Sequence, residues 1–368
     1  MRGDRQAHYR GCLLGMAVGD AMGYTVDDQN WEEIQNAYGP NGLLGYDLVN
    51  GYADISSYTQ LGCYTCCGLL LGMTHGQMHG KMGPYVRYIW LAGHEWAAGQ
   101  RCYGDPNPTF CWITRKRELR GKHCMDTRML DDLLHGRCGS MEEPVNRYDE
   151  AVSLTMAVPV GLFFDPQRSS QTEIDRLGAE AVALTQGSPL AFLTGAAVAH
   201  LISRIAWVGR INLVDLIQET LDMLDDQFGR EYPSQTRQIR AFVEQAAGYT
   251  IDPDVSAVDA MNLLECRNAP EVLAGALYAC LVCRGDFDTG MVISVNHSGH
   301  SAAVGALTGA ILGTIRGDRT IPKFYLESLE SPELYRELAD DMFQGCPMDR
   351  TSRLYDDDWD RKYIHYGK

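Results

Sequence analysis

Two histidines three residues apart stand out as groups able to move a proton or bind a metal. They are His297 and His300, within Val295-Asn296-His297-Ser298-Gly299-His300-Ser301-Ala302-Ala303-Val304-Gly305. Imidazoles so placed suit general acid–base catalysis or a transition-metal site, and they equally suit a closed pocket that they fill and hydrogen-bond. The other candidates are carboxylates. Gly285-Asp286-Phe287-Asp288-Thr289 sets two acids where a helix should begin, so capping of that N-terminus competes with metal binding. Asp20, between Gly19 and Ala21, reads as a buried, hydrogen-bonded carboxylate, and Asp54 as a helix cap. Cys63, Cys66, Cys67, Cys280 and Cys283 fall at helical spacing in apolar stretches. As zinc ligands they would need a second pair of similar spacing with nearby histidine, so packed, reduced thiols are expected instead.

The elements that must hold these groups are helical. Leu213, Leu216, Ile217, Leu221 and Leu224 repeat at helical spacing, with Asn212 as N-cap and Gly229 as the stop. Ser188-Pro189, Ala269-Pro270-Glu271 and Ser331-Pro332-Glu333 each read as the opening of a helix, and 172–186 and 234–247 read as two more. Glycines 11, 15, 19 and 23 form one stripe, and glycines 305, 309, 313 and 317 another. Each glycine inside a helix costs about 1 kcal/mol relative to alanine, so two such stripes predict buried central helices in tight contact with neighbours, each other being one candidate. Alternating β-branched segments bounded by turns are missing, which argues against a sandwich or βαβ fold. Residues 101–146, rich in Gly, Pro, Cys and charge, read as irregular structure with short helices on one side of the core.

Composition bounds the function. With 368 residues, 45% hydrophobic and 22% charged, the chain has the profile of a globular protein with a large core. Asp and Glu number 48 against 32 Lys and Arg, a formal charge of −16. Such a chain repels nucleic acid and anionic lipid at long range, so neither partner is expected. Stretches such as 68–73 and 269–283 are too short or too interrupted to cross a bilayer, and no signal peptide is read. A cytoplasmic location with unpaired thiols is the expectation.

The segment Gly11-Cys12-Leu13-Leu14-Gly15-Met16-Ala17-Val18-Gly19-Asp20-Ala21-Met22-Gly23 resembles the first helix of the ADP-ribosylglycohydrolases. In order along the chain, Ile55-Ser56-Ser57-Tyr58-Thr59-Gln60 is similar to that family's Thr/Ser-Asp-Asp-Thr-Gln segment. Met156–Phe163 resembles its Met-Arg-x-Ala-Pro-x-Gly-Leu-Phe region, and Leu184–Pro189 its Thr-His-Gly-His-Pro junction. Val295–Gly305 resembles its Val-Asn-His-Gly-Gly-Asp-Ser-Asp-Ser-Thr-Gly site. The resemblance runs from about residue 9 to about residue 330. It implies an all-α, compact orthogonal multi-helix bundle, here over residues 1–345 with a polar C-terminal tail at 346–368. It also implies removal of ADP-ribose from a modified side chain by two Mg²⁺ ions held between paired carboxylates.

Four positions break that pattern. Where the family carries its metal-binding aspartates this chain has Ser57, Tyr58, His300 and Ala302. Neutral hydroxyls, an imidazole and a methyl group are poor ligands for a hard cation that demands oxygen donors at about 2.0–2.1 Å. No Mg²⁺ and no other metal is therefore expected. Asp27 stands where the family has a glutamate shortly after its first helix. The resemblance then leaves Asp27, His297 and His300 as catalytic candidates, and Ser57, Tyr58, Asn296 and Ser301 as ligand-binding candidates. Three functions stay open. The first is a catalytically impaired relative that still binds an ADP-ribose-like molecule or a protein partner. The second is an active hydrolase of a glycosidic bond without Mg²⁺, and the third a structural or interaction protein on this fold.

Overall fold

A computed structural model describes the chain apart from residues 1, 28, 49–50, 82, 103–107, 120, 122, 124–126, 137, 167, 209–211, 351–354 and 368, and the side chains of 2–4. Among the described residues it is built from helices, with isolated bridges Ala53 to Leu329 and Glu150 to Asn268 in place of strands. In chain order these are α1 (Arg2–Tyr24), α2 (Trp31–Tyr38), α3 (Ser57–His79), α4 (Tyr85–Arg101), α5 (Thr127–His135) and α6 (Leu154–Phe163). Then come α7 (Gln171–Ala183), α8 (Pro189–Val208), α9 (Leu213–Phe228), α10 (Pro233–Tyr249), α11 (Ala257–Leu263) and α12 (Ala269–Val282). The last are α13 (Phe287–Val295), α14 (Ser301–Arg316), α15 (Lys323–Ser328), α16 (Pro332–Gln344) and α17 (Asp357–Tyr363). The all-α expectation holds.

The axis of the molecule is the pair α1 and α14, which run antiparallel with glycine against glycine. A methyl group on Gly11, Gly15 or Gly19 would fall on the backbone carbonyl of Gly313, Gly309 or Gly305 respectively. The stripes exist because the two backbones touch, and the dispersion contacts along that seam offset the cost of glycine in each helix. Around this pair stand α3, α6, α8, α12, α13 and α16. Outside them, α7 and α9 pack on α8, α10 on α12, and α4 on α3. Pro159 is tolerated inside α6 where all ten residues are buried.

Local signals set the ends. Asn30 with Glu33, Ser170 with Glu173 and Asn268 with Glu271 form capping boxes on α2, α7 and α12. Asn212 caps α9 as its sequence predicts. Asp286 caps α13 through the Thr289 amide, while Asp288 accepts a hydrogen bond from Tyr325 at 2.8 Å, so neither acid is spare. Asp54 is not the cap of α3; Ser56 is. One expectation needs amending: α8 is 20 residues long and apolar enough to span a bilayer, but it lies inside the bundle. The eleven described cysteines are all free. The segment after residue 345 carries α17, whose Trp359, Lys362 and Tyr363 are buried.

Candidate functional site

The residues singled out by sequence meet where the C-terminal end of α1, the N-terminal end of α3 and the α13–α14 junction come together. Asp20 is the organiser. It is fully buried and accepts from the Ser56 amide at 3.0 Å, the Ser56 hydroxyl at 2.5 Å and the Thr59 amide at 3.0 Å. An acid on α1 thereby supplies the charge and acceptors that the first turn of α3 needs. Burial pushes its carboxyl above the usual range and these hydrogen bonds pull it back. Next to it Ser57 and Tyr58 open α3, both buried, and the Tyr58 carbonyl accepts from the Thr155 hydroxyl at 2.7 Å.

The facing wall is α14. His300 is its N-cap residue yet makes no side-chain cap, and its own amide is held by the Cys266 carbonyl at 2.8 Å. The cap comes from elsewhere: Asp27, after α1, accepts from the Ala302 amide at 2.8 Å. Asn296 is committed to the loop after α2, accepting from the Leu43 amide at 2.7 Å and donating to the Leu43 carbonyl at 2.9 Å. Ser301 is buried, its hydroxyl 3.5 Å from the His297 carbonyl.

His297 differs from an acid–base catalyst in one respect. It is fully buried, and both ring nitrogens are occupied: Nε2 faces the Ser294 carbonyl at 3.0 Å and Nδ1 accepts from the Gly299 amide at 3.0 Å. A carbonyl can only accept, so Nε2 carries the proton and the ring is neutral. Burial pushes its pKa down to about 4. The two histidines of the pair thus do different things, since His297 ties the α13–α14 turn while His300 heads α14.

Two features go beyond the sequence reading, in which Gln60 appears only as the last residue of the Ile55–Gln60 segment. Gln60, one turn into α3, accepts from Trp96 at 3.0 Å and Gln100 at 3.1 Å and donates to the Gly121 carbonyl at 3.1 Å. His123 stacks on Tyr24 at the end of α1, with 5.3 Å between ring centroids. Glu330, whose amide donates to the Ala53 carbonyl at 3.2 Å, has its pKa pushed up to about 7 by burial and by Asp54 and Glu118. Only the fold brings it there.

A family model described as ADP-ribosylglycohydrolase matches residues 1–352. The chain belongs to the ADP-ribosylglycohydrolase family. A solved structure titled "ADP-ribosylglycohydrolase-related protein complex" superposes with a TM-score of 0.62 at 20% identity, covering 93% of this chain and 99% of that one, which supports the same fold. No curated protein matches the sequence.

Whether this member's site suits the family's magnesium pair is a question of donors. Ala302 is buried and offers only a methyl group, and Ser57 and Tyr58 offer neutral hydroxyls. The carboxylates beside them, Asp20 and Asp27, already accept from backbone amides of α3 and α14. Among the described residues no group of three or more His, Cys, Asp or Glu could hold a metal ion. Mg²⁺ prefers anionic oxygen in octahedral array, and this donor set does not fit it.

Proposed function

We propose that this ADP-ribosylglycohydrolase family member has lost the two-metal reaction and acts by binding, with an ADP-ribose-like molecule as the first ligand to test. The observation that carries the reading is the use of Asp20 and Asp27. Two carboxylates bonded to the segments that carry the former metal positions serve as helix caps, at 3.0 Å from the Thr59 amide and 2.8 Å from the Ala302 amide. A carboxylate in that role stabilises the fold, and turning it toward a cation would uncap a buried helix end. The rival, a metal-free hydrolase built on Asp27, His297 and His300, is weakened by the engaged nitrogens of His297.

The test is turnover of ADP-ribosyl-arginine and ADP-ribosyl-serine peptides in millimolar Mg²⁺ and in EDTA, beside calorimetry with ADP-ribose. The expected result is no release above the blank in either buffer, with heat of ADP-ribose binding. Mg²⁺-dependent release abolished by His300→Ala would overturn the proposal. Release in EDTA would establish the rival. Silence in both assays would leave a protein partner as the ligand.

A further inference from the structure

At the other end of α3 from Ser57 and Tyr58 stands a pair of histidines that the proposed function leaves unused. His75 and His79 are four residues apart, which puts them on one face of the helix, and both are exposed. At 1.5 Å per residue they lie roughly 27 Å or more along α3 from Ser57. Their ring centres are 4.5 Å apart, with the planes tilted by 52°. A ring nitrogen bonds a transition-metal ion at about 2.0–2.1 Å and the ring centre lies about 1.1 Å behind it, so two rings on one ion, at angles from square to tetrahedral, have centres about 4.5–5.2 Å apart. The pair already stands at the short end of that range, and no backbone movement is needed to reach it.

The first ring is held from behind. His75 Nδ1 lies 3.0 Å from the hydroxyl of Tyr88 on α4. Tyr88 is itself wedged between two glycines: a methyl group on Gly72 of α3 would come 2.9 Å from its Cδ2, and one on Gly83 would come 3.4 Å from its Cε2. With Nδ1 engaged, the nitrogen of His75 left for a ligand is Nε2. A phenol oxygen accepts as well as donates, so the tautomer with the proton on Nδ1 keeps this hydrogen bond and leaves the lone pair on Nε2. An acceptor on the second nitrogen is the usual means by which a metal-binding imidazole is oriented. His79 is the last residue of α3, and the carbonyl end of a helix favours a cation.

We propose that His75 and His79 form a two-ligand site for a divalent transition-metal ion, with His75 binding through Nε2 and water filling the remaining positions. Imidazoles at i and i+4 on one helix face chelate ions of the zinc and nickel kind, whereas hard Mg²⁺ requires oxygen donors. Among the described residues no third His, Cys, Asp or Glu converges on the pair, so the ion is exchangeable instead of locked in a closed structural site. The site is separate from the former magnesium positions and independent of whether the chain binds ADP-ribose.

Ni²⁺ is the first probe, because the half-buried Cys102, Cys138 and Cys346 would compete more strongly for Zn²⁺. Calorimetric titration into the full-length chain should show a site of one ion per chain that about a hundredfold excess of Mg²⁺ does not displace. His75→Gln and His79→Gln should each weaken it at least about tenfold, while His135→Gln, at an exposed histidine on α5, should leave affinity within about twofold. All three side chains are exposed, so the metal-free variants should melt with the parent. Long-range ¹⁵N–¹H spectra with diamagnetic Zn²⁺ should place the bond to His75 at Nε2. Absence of binding, equal loss in His135→Gln, or coordination through His75 Nδ1 with release of Tyr88 would overturn the proposal.

Discussion

At the scale of single residues, the site is governed by which polar atoms are already in use. His297 is the clearest case. Its pKa falls from 6.5 to about 4 on folding, so the neutral ring is the form the fold prefers. The stability it contributes is fully present above pH 6.5 and is lost as pH falls toward 4, on the order of 3 kcal/mol in all. His297→Gln should unfold earlier in urea at pH 7 yet lose less than the parent between pH 7 and pH 4.5. Parallel pH profiles for the two proteins would show that His297 is not the group responsible. Nothing in the sequence separates this role from catalysis, because a spacing of three residues serves both. The partners that decide the matter, Ser294 and Gly299, contribute only backbone atoms. Asp27 is illegible for a different reason: the amide it caps belongs to Ala302, at the other end of the chain. Asp20 was readable as a buried acid, since a charged residue inside a glycine-rich apolar helix has to find donors, though not which donors.

At the scale of elements, the glycine seam between α1 and α14 holds the candidate site in register. It places Gly23 against Ser301, so the mouth of one helix meets the start of the other. Gly15→Ala would drive a methyl group into the Gly309 carbonyl, where backbone faces backbone and no side chain can yield. Overpacking of this kind costs about 1–3 kcal/mol or more. Gly99→Ala in α4 meets nothing within 4 Å and should stabilise by about 0.5–1 kcal/mol through helix propensity. Chemical denaturation of the two variants measures the contrast, and equal effects would refute backbone contact at the seam. The stripes were legible because a period of four matches one helical face. Their contact with each other was one option the stripes offered, but the antiparallel direction was not legible, since periodicity within one helix says nothing about direction. The tie from Gln60 to residue 121 was invisible for the same reason: the carbonyl at Gly121 has no side-chain signature.

At the scale of the whole molecule, an excess of acid has to be managed against a large core. The chain carries a formal charge of −16, and much of its basic complement is committed to local pairs such as Arg10 with Asp340 and Arg176 with Glu142. The most buried of these cations is Lys362 on α17, 4% exposed, which pairs with Glu337 at 2.7 Å, Asp358 at 2.8 Å and Asp341 at 3.1 Å. With Trp359 donating to Thr74 at 3.0 Å, it fastens the C-terminal segment to α3 and α16. The sequence offers Trp359 and Tyr363 as rings able to dock, but it does not show that Lys362 is buried with them, because the acids of Asp356-Asp357-Asp358 make the segment read as solvated. Lys362→Met keeps the stem and removes the charge, leaving the half-buried Asp341 with Tyr363 as its remaining side-chain donor among the described residues. Loss of one partner from a buried pair costs about 3–5 kcal/mol. Burial already pushes the Asp341 carboxyl up and Lys362 holds it down, so without the lysine it should protonate at higher pH. The destabilisation should accordingly be large at pH 8 and shrink as pH falls toward 5, where the neutral acid no longer needs a cation. Thermal melts of parent and variant at both pH values test this, and a deficit that stays constant with pH would mean that Lys362 acts through packing and not through charge.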